Sequence, residues 1–158
     1  MTINYWTAST RTTPSTVLST LNMYSIGASR NALIYEIDFS NLQPPADLAN
    51  QLAVQRYTAG VAATASAVTN IAQLNPSVGG AVIASTTVIT DQTTVQATGV
   101  IAQPLLSISL NQKAGMRWIA APGSEIVSFG GAGNGTIFNT PVATSTPQGP
   151  TVAVFFSE

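Results

Sequence analysis

The sequence predicts an all-β, antiparallel fold, a sandwich or a barrel, on three observations. Several short runs alternate apolar and polar residues with a period of two, the mark of half-buried strands. Turn residues separate these runs at about the 8–12-residue spacing of sandwiches and barrels. No heptad run, no alternation of strand and helix patterns and no internal repeat competes with that pattern.

Taken in order, residues 5–10 and 23–28 are weak strand signals. Residues 32–39 (ALIYEIDF) are a strong one, in which Leu33, Tyr35, Ile37 and Phe39 share one face and Ile34, Glu36 and Asp38 the other. NLQPP closes this strand, because Pro44 and Pro45 cannot donate to a ladder. Residues 52–57 (LAVQRY) set Leu52, Val54 and Arg56 opposite Ala53, Gln55 and Tyr57. Residues 59–74 carry Val61, Ala65 and Val68 at helical spacing but are rich in Thr and Val and end at Asn75-Pro76. That favours loop and strand, with a single helical turn at most over residues 76–84. Residues 106–110 point Leu106, Ile108 and Leu110 inward and Ser107 and Ser109 outward. Residues 115–121 follow, with Met116, Trp118 and Ala120 on one side and Arg117 and Ile119 on the other. Pro122-Gly123 is a strong turn dipeptide. Residues 124–129, 134–139 and 151–157 are the remaining strands.

A chain of 158 residues suits one domain with a substantial core. Residues 1–25 are read as an N-terminal arm or first strands and residues 26–158 as the sandwich, with no linker dividing the chain. Charged residues are only 7% of the total, against about 25% in ordinary soluble domains. With a net charge of −1, repulsion hardly keeps copies apart. Two readings follow: the protein is merely neutral, or much of its surface is covered by other subunits. The five basic residues form no stripe, which argues against a nucleic-acid partner.

Cysteine and histidine are absent, so disulfides, thiolate metal sites and the commonest general base are excluded. Six dispersed carboxylates predict no specific metal site, a calcium held by loop oxygens being the alternative left open, and no cofactor motif is present. MTINYWTASTR lacks the basic-then-apolar pattern of a secretory signal. No apolar run reaches the ~20 residues needed to span a bilayer. The chain is expected to be soluble as made, without a membrane or small-molecule partner.

The motifs that resemble chemistry have structural explanations. The stretch Gly130-Gly131-Ala132-Gly133-Asn134-Gly135 lacks the following helix and lysine of a phosphate cradle, and a wide turn explains it. Glu36 and Asp38, two apart on one strand, sit at about 6.8 Å, a distance at which glycosidase carboxylates also occur. The same spacing arises on almost any solvated strand. No GxSxG or SxxK signature of a nucleophilic serine occurs. Asn134-Gly135-Thr136 matches a glycosylation sequon that is common by chance. Arg117 beside Trp118 is either a side chain lying over an outer sheet face or an anchor in a subunit contact. Phe155 and Phe156, neighbours on a strand, must point to opposite faces, which hints at a second apolar interface.

The run LNQKAGMRWIAAPGSE, residues 110–125, resembles the LNQ-(R/K)-x-x-x-R-W-x-x-x-P-G-x-E pattern of small β-sandwich virion proteins of tailed bacteriophages. Asn134-Gly135, the terminal FFSE and the upstream VQRYTAG (residues 54–60) resemble further features of that family. The similarity spans residues 23–158 and is firmest in the last third. The chain departs from the pattern at Ser128-Phe129-Gly130-Gly131 and lacks its aspartate-proline signal in residues 59–84.

The resemblance implies an antiparallel, jelly-roll-like β-sandwich with an extended N-terminal segment, decorating or cementing a capsid, often as a trimer. The expected function is therefore that of a phage virion structural protein on the outer surface of the capsid, made in the host cytoplasm. Its partners would be two further copies in a homotrimer and the major capsid protein. Residues 2–25, with Tyr5 and Trp6, would extend to a neighbour and add a strand to its sheet edge. Tyr5, Trp6, Arg117 and Phe155 are the expected interface residues. The alternative is a tail or fibre-associated module whose Tyr24, Tyr57 or Trp118 stacks on a host glycan. An enzyme built on Glu36 and Asp38 is the third class, and the sequence favours no catalytic residue.

Overall fold

The computed structural model describes residues 5–9, 19–25, 31–41, 49–58, 67–68, 71–74, 86–90, 103–111, 113–131, 134–139 and 150–158. Among them there is no helix, and they form twelve strands. These are β1 (Tyr5–Ser9), β2 (Ser19–Ser25), β3 (Ala32–Asn41), β4 (Ala49–Tyr57), β5 (Ala67–Val68) and β6 (Ile71–Gln73). They continue as β7 (Thr86–Thr90), β8 (Leu106–Asn111), β9 (Met116–Ile119), β10 (Ile126–Ser128), β11 (Gly135–Asn139) and β12 (Pro150–Ser157).

Two antiparallel sheets result. The first runs β10-β3-β12-β1-β6, with β9 also paired to β3; the second runs β5-β7-β2-β11-β4-β8. From β1 to β4 the chain changes sheet at every step, and it does so again from β10 to β12. The first and last described strands, β1 and β12, lie side by side.

One apolar core lies between the sheets, so the architecture is sandwich-like. The first sheet contributes Trp6, Ala32, Ile34, Ile37, Phe39, Ile126, Val152, Val154 and Phe156; the second contributes Leu52, Val54 and Phe138. Leu106, Leu110, Met116 and Trp118 pack at its margin. The alternation in the sequence explains the membership. In β8 the residues expected to face inward are the less exposed ones, and in β4 and β9 Leu52, Val54, Met116 and Trp118 are the ones that meet the core. At its centre the second sheet is buried on both faces, since Ala53, Tyr57 and Ile137 lie on the side away from this core and are also buried.

The structure corrects one expectation and adds to two. In β3, Ile34 is fully buried and Leu33 exposed, the reverse of the simple alternation. The cause is a β-bulge: Phe155 pairs with Glu36 but Phe156 pairs with Ile34, leaving Tyr35 as one extra residue. Ile37 and Phe39 return to the core beyond it. Second, of the two readings of residues 1–25, an arm or first strands, the described parts are strands inside the two sheets, because β1 pairs with β12 and β6, and β2 with β11 and β7. Third, residues 86–90 form β7, which no alternation announces. Of the segment 59–74, residues 67–68 and 71–73 are strand; residues 76–84 lie outside the described residues.

Candidate contact surface

The bulge at Tyr35 shapes the outer face of the first sheet. Ile34 and Ile37 both point into the core, so Tyr35 and Glu36 both stand on the opposite side. The bulge also meets a break in the neighbouring edge strand. Ile119 of β9 pairs with Glu36 and Ile126 of β10 with Ile34, while Ala120 N donates to Tyr35 O at 2.9 Å. The intervening corner is a β-turn in which Ser124 N donates to Ala121 O at 2.8 Å, with Gly123 at φ 82°. Positive φ at the third turn position requires glycine, and proline before it fixes the second. Pro122-Gly123 is thus the corner that the sequence predicts, and it splits the edge into two short pieces that offer little ladder to a foreign strand.

Aromatic and aliphatic side chains gather on this outer face. The Tyr35 ring meets Tyr5 edge-on at 5.9 Å and Phe155 at 6.5 Å. Leu33 and Ile119 flank the bulge and are 39% and 58% exposed. Burial lifts the Tyr35 phenol above its ordinary pKa, with smaller contributions from the charge of Glu36 and from Tyr5. By contrast, the β4–β8 part of the second sheet presents Gln51, Ser107 and Ser109, and Gln51 Nε2 donates to Ser107 Oγ at 2.7 Å. The first sheet therefore carries an exposed apolar outer face, and the β4–β8 part of the second sheet a polar one.

Arg117 rims that face. Its Nε donates to Glu36 Oε1 at 2.6 Å and lies 3.9 Å from Asp38 Oδ1. The hydrogen bond that Arg117 donates to Glu36, then the charge of Glu36, raise the Arg117 pKa above its ordinary value. Arg117 thus pairs with Glu36 and lies beside Asp38, an arrangement that offsets one of the two carboxylate charges.

The four expected interface residues separate. Tyr5 and Phe155 are on the outer face, Arg117 is at its rim, and Trp6 is a core residue at 4% exposure. Trp6 is corrected on that ground: adjacent residues of a strand face opposite ways, and Tyr5 takes the outward position. Phe155 and Phe156 divide as expected, Phe156 in the core and Phe155 outside. For the glycan alternative, Tyr57 is buried and offers no stacking face, and Trp118 is partly buried against the core; the Tyr24 side chain lies outside the described residues.

The described residues of the glycine-rich stretch, Gly130, Gly131 and Asn134, bond to one another and to Asn31. Gly130 N donates to Asn31 Oδ1 at 3.0 Å, Asn134 N to Gly131 O at 3.2 Å and Asn134 Nδ2 to Gly130 O at 3.3 Å. Gly131 adopts φ 103°. The sequon is poorly placed for modification, because the Asn134 amide is engaged and the Thr136 hydroxyl buried.

Sequence reasoning missed two residues with unusual surroundings. Arg56 and Thr136 face each other across β4 and β11 on the inner side of the sandwich. For Arg56 the signal was present, since it occupies the inward register set by Leu52 and Val54. No group of three or more acidic, His or Cys side chains forms among the described residues. Compared with protein-family models, with curated proteins and with solved structures, the chain matches none.

Proposed function

We propose that the chain is a structural protein of a tailed-phage virion, a capsid decoration or cement protein that binds the shell as a homotrimer. The observation that carries this reading is the outer face of the first sheet, where Tyr5, Leu33, Tyr35, Ile119 and Phe155 form an aromatic and aliphatic surface beside the Arg117–Glu36 ion pair. Aromatic side chains and arginine are enriched in protein contacts, and other charges are depleted at their centres. The low overall charge is compatible with burial of this face, because burying unpaired charge is costly. Three linked copies gain effective concentration at their sites on the shell.

We read the architecture further as a jelly roll. Supporting this are two four-strand sets, β1-β12-β3 with the split β9/β10 strand, and β2-β11-β4-β8, between which the chain winds. The short strands β5, β6 and β7 then add to the β1 and β2 sides of the two sheets. Double-sheet winding of this kind is common in capsid and lectin domains, so it supports the virion reading without selecting it. The phage-like motif places its arginine at the rim of the apolar face and its Pro-Gly at the corner beside it.

Quantitative mass spectrometry of purified virions tests the function. Hundreds of copies per particle are expected of a shell component, while a handful would place the chain in the tail and overturn the capsid reading. Light scattering of the purified protein tests the trimer separately, and a monomer at high concentration would contradict it.

A further inference from the structure

We infer that β8, the edge strand of the second sheet, joins two copies of this chain, pairing antiparallel with β8 of the second copy about a two-fold axis at Ile108. The inference stands apart from the virion reading, which is carried by the outer face of the first sheet.

A sheet edge presents unpaired N–H and C=O groups, and soluble proteins blunt it with short strands, charge, proline or bulges. Among the described strands, the other edges are blunted in this way. β5 has two residues and β6 three, and the β9/β10 edge is broken at Pro122-Gly123 and carries Arg117. β8 is the exception. Its six residues, LSISLN, include no charge and no proline, and they pair with β4 without a register shift. Among the described residues β4 is its one strand neighbour.

The core is also open along this edge. Leu52 and Val54 of β4 are 1% and 0% exposed. Ile108 and Leu106, directly opposite them on β8, are only half-buried, and so is Leu110. A further strand beside β8 would cover these three side chains.

The sequence of β8 supplies its own complement. An added strand must set apolar residues opposite apolar ones, because a slip of one residue turns its whole apolar set to the other face. Residues 106–110 read Leu-Ser-Ile-Ser-Leu in both directions. With Ile108 opposite Ile108, Leu106 therefore falls opposite Leu110 and Ser107 opposite Ser109. This pairing uses all five residues, keeps the apolar side chains on the core face and sets no charge against another. β8 carries no charge that would select an acidic or basic segment of a different protein. A two-fold contact is also closed: each edge covers the other, so the sheet does not grow into a fibre.

The chain has no cysteine, so cross-linking reads the register directly. Ser107→Cys and Ser109→Cys proteins are prepared separately, mixed in equal amounts and oxidised mildly. Directly opposite residues fall within the Cα separation of a disulfide, about 4.4–6.8 Å. A linked dimer is expected in the mixture and in neither variant alone, because residue 107 faces residue 109 and not itself. No link in the mixture, or equal linking in each variant alone, would overturn the inference. Sedimentation at high protein concentration gives a second reading. The wild type should hold an even number of chains, and Ser107→Lys combined with Ser109→Lys, which sets like charges directly opposite each other, should halve its mass. Both serines are exposed, so this variant should keep the wild-type unfolding transition; if it does not fold, the cysteine mixture decides. A hexamer that falls to a trimer supports the inference together with the homotrimer. A dimer that falls to a monomer supports it and contradicts the homotrimer. A trimer unchanged by the lysines overturns it and leaves the virion reading standing.

Discussion

Tyr35 and Glu36 are adjacent in β3 yet stand on the same side of the sheet, Tyr35 against Tyr5 and Phe155 and Glu36 against Arg117. The bulge that permits this brings an aromatic cluster and an ion pair together without breaking the core strand, since Ile34 and Ile37 remain fully buried on either side. A regular strand would have turned one of the two inward.

The cluster has a pH signature. Because burial, and then Glu36 and Tyr5, raise the Tyr35 pKa in the folded state, the folded protein holds that proton at pH values where the unfolded chain releases it. The resulting stability is present below about pH 10, the ordinary tyrosine pKa, and is lost as pH rises through the folded value. Titration of tyrosine absorbance should resolve a late-ionising phenol that disappears in Tyr35→Phe.

The two neighbouring phenylalanines should respond unequally to truncation. Phe156 is fully buried in the core, and Phe156→Ala should cost about 3–5 kcal/mol of unfolding free energy. Phe155 lies on the outer face beside Tyr35, and Phe155→Ala should cost about 1 kcal/mol. Denaturant unfolding of both variants measures the difference, and equal losses would contradict the face assignment.

Most strands were legible in the sequence because one face of each is buried. Where Leu106, Ile108 and Leu110 alternate with serines, only one register is possible. In LIYEIDF both faces are apolar near the bulge, so a slip of one residue leaves no mark in the pattern. Strand β7, TTVIT, lacks alternation, and only its β-branched composition signals a strand. The outer aromatic face could not be read from the sequence because it joins Tyr5, Tyr35 and Phe155 from three strands, with Tyr35 placed there by the bulge.

Removing the unpartnered hydroxyl should stabilise the fold. Thr136 is fully buried and its Oγ1 unsatisfied, so Thr136→Val, which keeps the β-branched shape, should raise unfolding free energy by about 1 kcal/mol. Loss of stability in this variant would mean that the hydroxyl has a partner in the folded protein.

The corner depends on its glycine. Gly123 holds φ 82° with open space where a side chain would begin, so Gly123→Ala fails on backbone strain alone and should cost about 1–2 kcal/mol. Gly115→Ala is the control, because its added carbon would meet Phe39 O at an ordinary 3.5 Å. Thermal unfolding of the pair distinguishes strain from crowding.

The contact face is tested most directly by co-sedimentation of wild-type, Leu33→Asp and Ile119→Asp proteins with phage heads assembled without this chain. Both side chains are exposed, so the charged variants should fold with stability within about 0.5 kcal/mol of wild type. Binding of the wild type and loss of binding in both variants is the predicted result; undiminished binding of the folded variants would contradict it.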